Sequence, residues 1–275
     1  MSTSSKRVAS RFGLLALAIF LCAGMADAQQ QPAKPAGPPP PDLPGHVNYL
    51  AKQLYGVPLD ESESITGQIQ ELVLAHIQQW LSNHLSREAP SQVQVRRELE
   101  SAFAQIKYPV YAWPAVFAQP WKGGGTLYGV GYTLGWSDYD RANVIALFES
   151  RKNQVQLAAV THFVPHTDLH YEFMMPSPSG DFWFVVYGTR LGKSQRRLAA
   201  ELLSFDGQSL KSLWKIQDAY DGRISLAQNG VRIRYLKEDE YIRETARGRK
   251  PPRYESIYRV TPQGLELEST RELPF

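Results

Sequence analysis

"RISLAQNGVRIRYL", residues 223–236, is the stretch on which the fold turns. The runs "RISLAQ" and "VRIRYL" each alternate apolar and polar residues, the period of a strand with one buried face. Between them stands Asn229-Gly230, a pair suited to the positive φ angles of a two-residue hairpin turn. The stretch is therefore expected to be an antiparallel hairpin.

The same pattern extends in both directions. From Tyr108 onward, runs such as "GTLYGVGYTLGW", "NVIALFES", "DFWFVVYGTR" and "YESIYRVT" are rich in β-branched and aromatic residues. Turn chemistry punctuates them at "DGQ", "YDGR", "QNGV" and "TPQG". Counting the runs gives about a dozen short strands, which fits a sandwich, an open barrel or a partial propeller-like sheet array. Within them "LLSFDGQSLKSLWKIQDAYDGRISL", residues 202–226, resembles one β-propeller blade, with an Asp-Gly turn before a strand that carries Trp214. A dozen strands would supply only three four-stranded blades, too few for the usual closed ring, so the likeness names no family.

N-terminal to Tyr108 the period changes to that of a helix. In "SITGQIQELVLAHIQQWLSNHL", Ile65, Ile69, Leu72, Val73, Ile77, Trp80, Leu81 and Leu85 form one apolar stripe, and Ser64 is a suitable N-cap. Ser91 caps a second helix whose stripe is Val95, Leu99, Ala102, Phe103 and Ile106. "HVNYLAKQLYG" reads as a short third helix ended by Gly56 and Pro58. His76 and His84 fall on the helix surface, with Trp80 rather than a ligand between them.

The first 28 residues have the parts of an export signal. Lys6, Arg7 and Arg11 precede an apolar run from Leu14 to Met25, and Ala26-Asp27-Ala28 is a small-x-small cleavage site. Cleavage there removes Cys22, the one cysteine, so the mature chain is expected to have no disulfide. An uncleaved N-terminal membrane anchor is the alternative. Cleavage also leaves 27 basic against 26 acidic residues (30 less three, 27 less one), a balance that does not point to nucleic acid. The division expected is then residues 1–28 signal peptide, 29–45 proline-rich linker, 46–107 helical segment and 108–275 antiparallel β domain. The fold class is α+β, a helical hairpin followed by a mainly antiparallel β domain, in an envelope protein that is periplasmic or secreted.

Chemistry is sparse. "GGGTLYGVGYTLGW" has neither a phosphate-loop nor a dinucleotide fingerprint, and its Gly129 and Gly131 read as strand glycines that let an aromatic or a backbone approach closely. There is no nucleophile elbow, and a mature chain without cysteine has no thiol nucleophile. Asp138 with Asp140, and Glu238, Asp239 and Glu240, are the available carboxylate groups for glycosidase chemistry, but short acidic runs of this kind are usually solvated loops. Five tryptophans lie in the β half, where exposed aromatics would stack on carbohydrate and buried ones fill a core; "DFWFVVYG" places Trp183 inside.

Two constellations remain. "THFVPHTDLHYEF" spaces His162, His166 and His170 at four-residue intervals beside Asp168 and Glu172. On a helix these histidines would form a zinc set, the basis of an alternative reading as a metal-dependent hydrolase. Pro165 and the flanking strand patterns favour an extended strand-turn-strand instead, with Phe163, Leu169, Tyr171 and Phe173 inward and the histidines outward. The second, "RETARGRKPPR", puts Arg243, Arg247, Arg249, Lys250 and Arg253 in one expected loop, a candidate weak contact for anionic envelope polymer or lipid. No catalytic residue and no cofactor is assigned. The expected role is binding or structural rather than catalytic, with docking of a protein partner through the helical hairpin as a further alternative.

Overall fold

The computed structural model describes residues 37–85, 89–107, 110, 113–135, 142–152, 154–163, 169–173, 177, 180–191, 196–227 and 229–274. The expected export signal, His166, Asp168, Asp138 and Asp140 lie outside the described residues. The fold class is α+β: a helical N-terminal region is followed by antiparallel β structure.

Among the described residues, three helices come first: α1 (Leu43–Gln53), α2 (Leu59–Leu85) and α3 (Gln92–Ala104). Helix α1 starts inside the proline-rich stretch, because Asp42 caps it by accepting from the Gly45 amide at 2.9 Å and a proline is tolerated in the first turn. Helix α3 starts at a reciprocal capping box. Ser91 Oγ accepts from the Gln94 amide, and Gln94 Oε1 accepts from the Ser91 amide at 2.7 Å. Most of the expected apolar stripes are buried, Ile65, Ile69, Val73, Ile77, Leu81 and Leu85 on α2 and Val95, Leu99, Ala102 and Phe103 on α3, while Leu72 and Trp80 are only partly buried. Asn48 of α1 joins the ends of this layer, donating to the Gln105 carbonyl and accepting from the Lys107 amide, both at 3.1 Å.

Among the described residues, eleven strands follow in two sheets. The first sheet is β1 (Ala115–Trp121), β2 (Gly125–Leu134), β3 (Ala142–Arg151) and β4 (Gln154–Phe163), in that order. The second begins with β5 (His170–Phe173), β6 (Phe182–Leu191), β7 (Arg196–Phe205) and β8 (Leu210–Ala227). It ends with β9 (Gly230–Leu236), β10 (Arg253–Thr261) and β11 (Gly264–Leu273), again in chain order. A fourth helix, α4 (Glu238–Ala246), is inserted between β9 and β10.

Alternation along the strands supplies three apolar layers. Tyr128, Val130, Tyr132, Val144 and Phe148 face the helices and share one buried cluster with them. Phe117, Leu127, Ile145 and Leu147 point the other way, toward Phe184, Val186, Leu203 and Phe205 of the second sheet. Trp183, Val185, Leu198 and Leu202 cover the far face of that sheet, where β8 to β11 curl back over it with Val231, Ile233 and Leu265. The curl brings the Gly264 turn against the Leu213 backbone of β8, across two intervening strands.

Three local expectations need correction. The hairpin at "RISLAQNGVRIRYL" forms, but Ala227 pairs with Gly230, one residue earlier than an Asn229-Gly230 loop would place it. Ile224 still opposes Ile233 and Leu226 opposes Val231, so the apolar face survives. Gly230 is needed for closeness, not for a positive φ: a Cβ there would lie 1.9 Å from the Tyr258 carbonyl oxygen. "YDGR" is not a turn. Asp221 takes a left-handed φ of 46° and the register with β9 slips between Tyr220 and Arg223, which makes a bulge inside the 18-residue β8. Two expected strands are thus one bent strand.

The third correction concerns the histidine segment. Strands β4 and β5 do not pair; β4 pairs with β3 and β5 with β6. The segment crosses from one sheet to the other, so that Phe163 and Tyr171 enter the core between the sheets from opposite sides. The inward parity read for Phe163, Leu169 and Tyr171 is satisfied by the sandwich without any hairpin.

Candidate functional site

Strand β1 is an edge of the first sheet and β5 is an edge of the second, and the two edges meet where α3 crosses β1. The alternation of β5 sets what each residue can do there. Leu169 and Tyr171 pack inward on the core between the sheets. Tyr171 meets Phe117 edge-on at 5.3 Å, and its hydroxyl lies over Gly131, where a Cβ would come within 2.2 Å. Gly129 serves Phe117 in the same way, at 1.9 Å. These are the close approaches expected of the two strand glycines. Burial raises the Tyr171 phenol far above its usual range, so this hydroxyl is a packing group and not an acid.

His170 and Glu172 project the other way, into an open cleft of about 530 Å³. Its walls include Gln92, Arg96 and Glu100 of α3, Trp113 ahead of β1, and Tyr187 of β6. His170 lies directly opposite Tyr187 in the sheet, and their rings stack at 5.1 Å with planes 22° apart. Tyr187 donates a long hydrogen bond to Glu172 Oε1, at 3.4 Å. Burial, and then the neighbouring Glu172 charge, raise the Tyr187 phenol, which keeps it a donor at neutral pH. Trp113 is 82% exposed, an unusual state for the largest side chain. The cleft thus offers aromatic faces, two carboxylates and a guanidinium in one place.

Of the alternative zinc set, His162 and His170 stand on different sheets, and His166 lies outside the described residues. His162 on β4 donates from Nε2 to Gln70 Oε1 of α2 at 2.9 Å, whereas His170 belongs to the other sheet and to the cleft. Among the described residues no group of three His, Cys, Asp or Glu side chains is placed to hold a metal ion. Glu238, Asp239 and Glu240 are not a loop; they form the first turn of α4, where acidic groups favour the helix dipole. Glu238 pairs with Arg197 at 2.5 Å and Glu240 accepts from the Tyr254 hydroxyl at 2.6 Å, a bond that depresses its carboxyl.

The expected basic loop is likewise divided. Arg243 is in α4 and Arg247 at its end, both beside Glu244 at 3.0 and 3.5 Å. Arg249 reaches the same carboxylate at 3.9 Å, and Arg253 opens β10 paired to Asp221. Sequence reading missed the wall from α3, although Gln92, Arg96 and Glu100 recur every four residues and so share one helix face. Trp113 is one of five tryptophans in the β half, and nothing in its local sequence singles it out.

No known protein family, characterised protein or solved structure matches the chain.

Proposed function

We infer that the protein is an exported envelope protein that binds carbohydrate without transforming it, through the cleft between α3, β1 and β5. The observation that carries this reading is Trp113, solvent-exposed on a cleft whose opposite strands present the stacked His170 and Tyr187. A sugar ring has apolar C–H faces and a rim of hydroxyls. Aromatic faces bury the former, and side chains such as Gln92, Arg96, Glu100 and Glu172 bond the latter. A volume of about 530 Å³ is in the range of small-ligand clefts. Export rests on the arrangement of Lys6, Arg7, Arg11, the apolar run and Ala26-Asp27-Ala28.

The test is a titration of the mature protein with chitotetraose and cellotetraose, followed by tryptophan emission and calorimetry. Saturable binding is expected for at least one, lost in Trp113→Ala and weakened in Tyr187→Ala. Failure of both sugars, or binding indifferent to Trp113, would sink the reading. Sequencing the protein from the cell envelope should give Gln29 as the first residue; retention of Met1 would remove the export assignment.

A further inference from the structure

On the outer surface of the curled part of the second sheet, register places a row of charges directly side by side. Arg223 of β8 opposes Arg234 of β9, Arg234 opposes Glu255 of β10, and Glu255 opposes Arg271 of β11. The next row down contributes Arg232. Glu255 has no exposed side-chain surface, because arginines cover it. Arg234 Nε donates to it at 2.9 Å and Arg271 at 2.6 Å, with Arg232 at 3.6 Å. These partners, Arg234 first, hold its carboxyl below the ordinary range.

Glu255 thus pairs with three guanidinium groups, and Arg223 brings the two rows to four arginines against that one carboxylate, with Glu268 beside Arg232 at the patch edge. The excess is bounded. Above the row Arg253 is paired to Asp221, and below it Arg259 opposes Glu266 across the ladder. Like charges directly opposite in adjacent strands oppose folding, so the Arg223–Arg234 juxtaposition is a local cost. The row crosses three strand spacings, about 14 Å. No large exposed apolar side chain stands in these two rows, which disfavours insertion into a membrane.

We propose that this arginine row binds a linear anionic polysaccharide, whose successive carboxylates meet the fork geometry of guanidinium groups. The proposal is independent of the cleft. Glu255 acts as a spacer that holds Arg234 and Arg271 extended and prepared, while Arg223 and Arg232 supply the remaining attraction.

The probe is an octamer of galacturonic acid, with its methyl ester as the uncharged equivalent on the same backbone. The acid should bind, its affinity falling steeply with added salt, and the ester should not. Arg223→Glu should weaken binding about tenfold, equivalent to about 1.4 kcal/mol, and raise the thermal midpoint, since it sets a carboxylate opposite Arg234. Arg232→Gln should also weaken binding while leaving the fold intact. Arg97→Gln on α3 and Trp113→Ala should leave it unchanged. Equal binding of acid and ester, an unchanged affinity in Arg223→Glu, or an equal loss in Arg97→Gln would each overturn the proposal. So would preferential partition onto phosphatidylglycerol vesicles.

Discussion

Asp206 shows how much one side chain can organise. It closes the β7–β8 hairpin by accepting from the amides of Gln208 and Ser209 at 2.8 and 2.9 Å, and Lys211 bonds it at 3.0 Å. The Ser209 and Gln208 amides, followed by Lys211, hold the carboxyl well below its usual range. A depressed folded-state value means a contribution fully present above the unfolded value of about 3.9 and lost as pH falls through the folded one. Asp206→Asn, which keeps an acceptor and loses the charge, should therefore unfold at lower denaturant than the parent near neutral pH. The gap should narrow steadily below about pH 4 in paired urea titrations; a gap that widened there would contradict the assignment. Gly230 makes the second residue-scale case. A methyl group there meets backbone, not a flexible tip, so Gly230→Ala should cost about 1–3 kcal/mol in denaturant unfolding. An unchanged midpoint would show that β9 and β10 can separate freely. The sequence named this glycine correctly but for another reason. A turn demands it for torsion, whereas here the neighbouring strand demands it for space, and one chain alone does not show its neighbour.

Elements with a strong internal rhythm were legible. The stripes of α2 and α3 supply most of the buried sets, and the Ser91 cap is where its side chain implied. Helix α2 begins at Leu59 instead of after Ser64, with Asp60 and Glu61 suiting its first turn electrostatically; "DESES" carries no apolar period by which that start could be read. Helix α4 buries no residue, so it had no stripe to betray it; only its acidic start and Arg243 near its end marked it. The long β8 was cut in two because Asp-Gly serves turns and bulges alike. The candidate cleft was less visible still. Helix α3, the approach to β1 and β5 each contribute, and nothing local announces that they meet. One helical position invites improvement. Gly67 lies within α2, exposed, with nothing within 4 Å of an added Cβ. Gly67→Ala should stabilise the protein by about 0.5–1 kcal/mol, seen as a higher urea midpoint at unchanged slope. Destabilisation would mean that α2 makes a contact at this face in solution.

At the scale of the whole molecule, the helices are a cover and not an appendage. Their apolar stripes are engaged with Tyr128, Val130, Tyr132 and Phe148, and Gln78 of α2 donates to the Val155 carbonyl at 3.1 Å. A chain beginning at residue 108 would bare that entire sheet face, a patch larger than soluble monomers expose. It should aggregate on expression, and size-exclusion recovery of a folded monomer would refute this. The same engagement tells against protein docking through the inner faces of α2 and α3, since those faces already have a partner. Which strands fall into which sheet was beyond the sequence, because a crossover and a hairpin around His166 would both keep Phe163 and Tyr171 inward. Strand order has a consequence for how the molecule comes to exist. Among the described residues, the strands of both sheets stand in chain order, so each ladder can close as soon as two successive segments are available. Loop-closure entropy is then small at every pairing step, and the remaining long-range events are the stacking of layers. A chain that crosses a membrane unfolded, N-terminus first, could assemble hairpin by hairpin as it emerges. In refolding from urea, backbone circular dichroism should recover before the near-ultraviolet signal of the Trp121 and Trp183 packing.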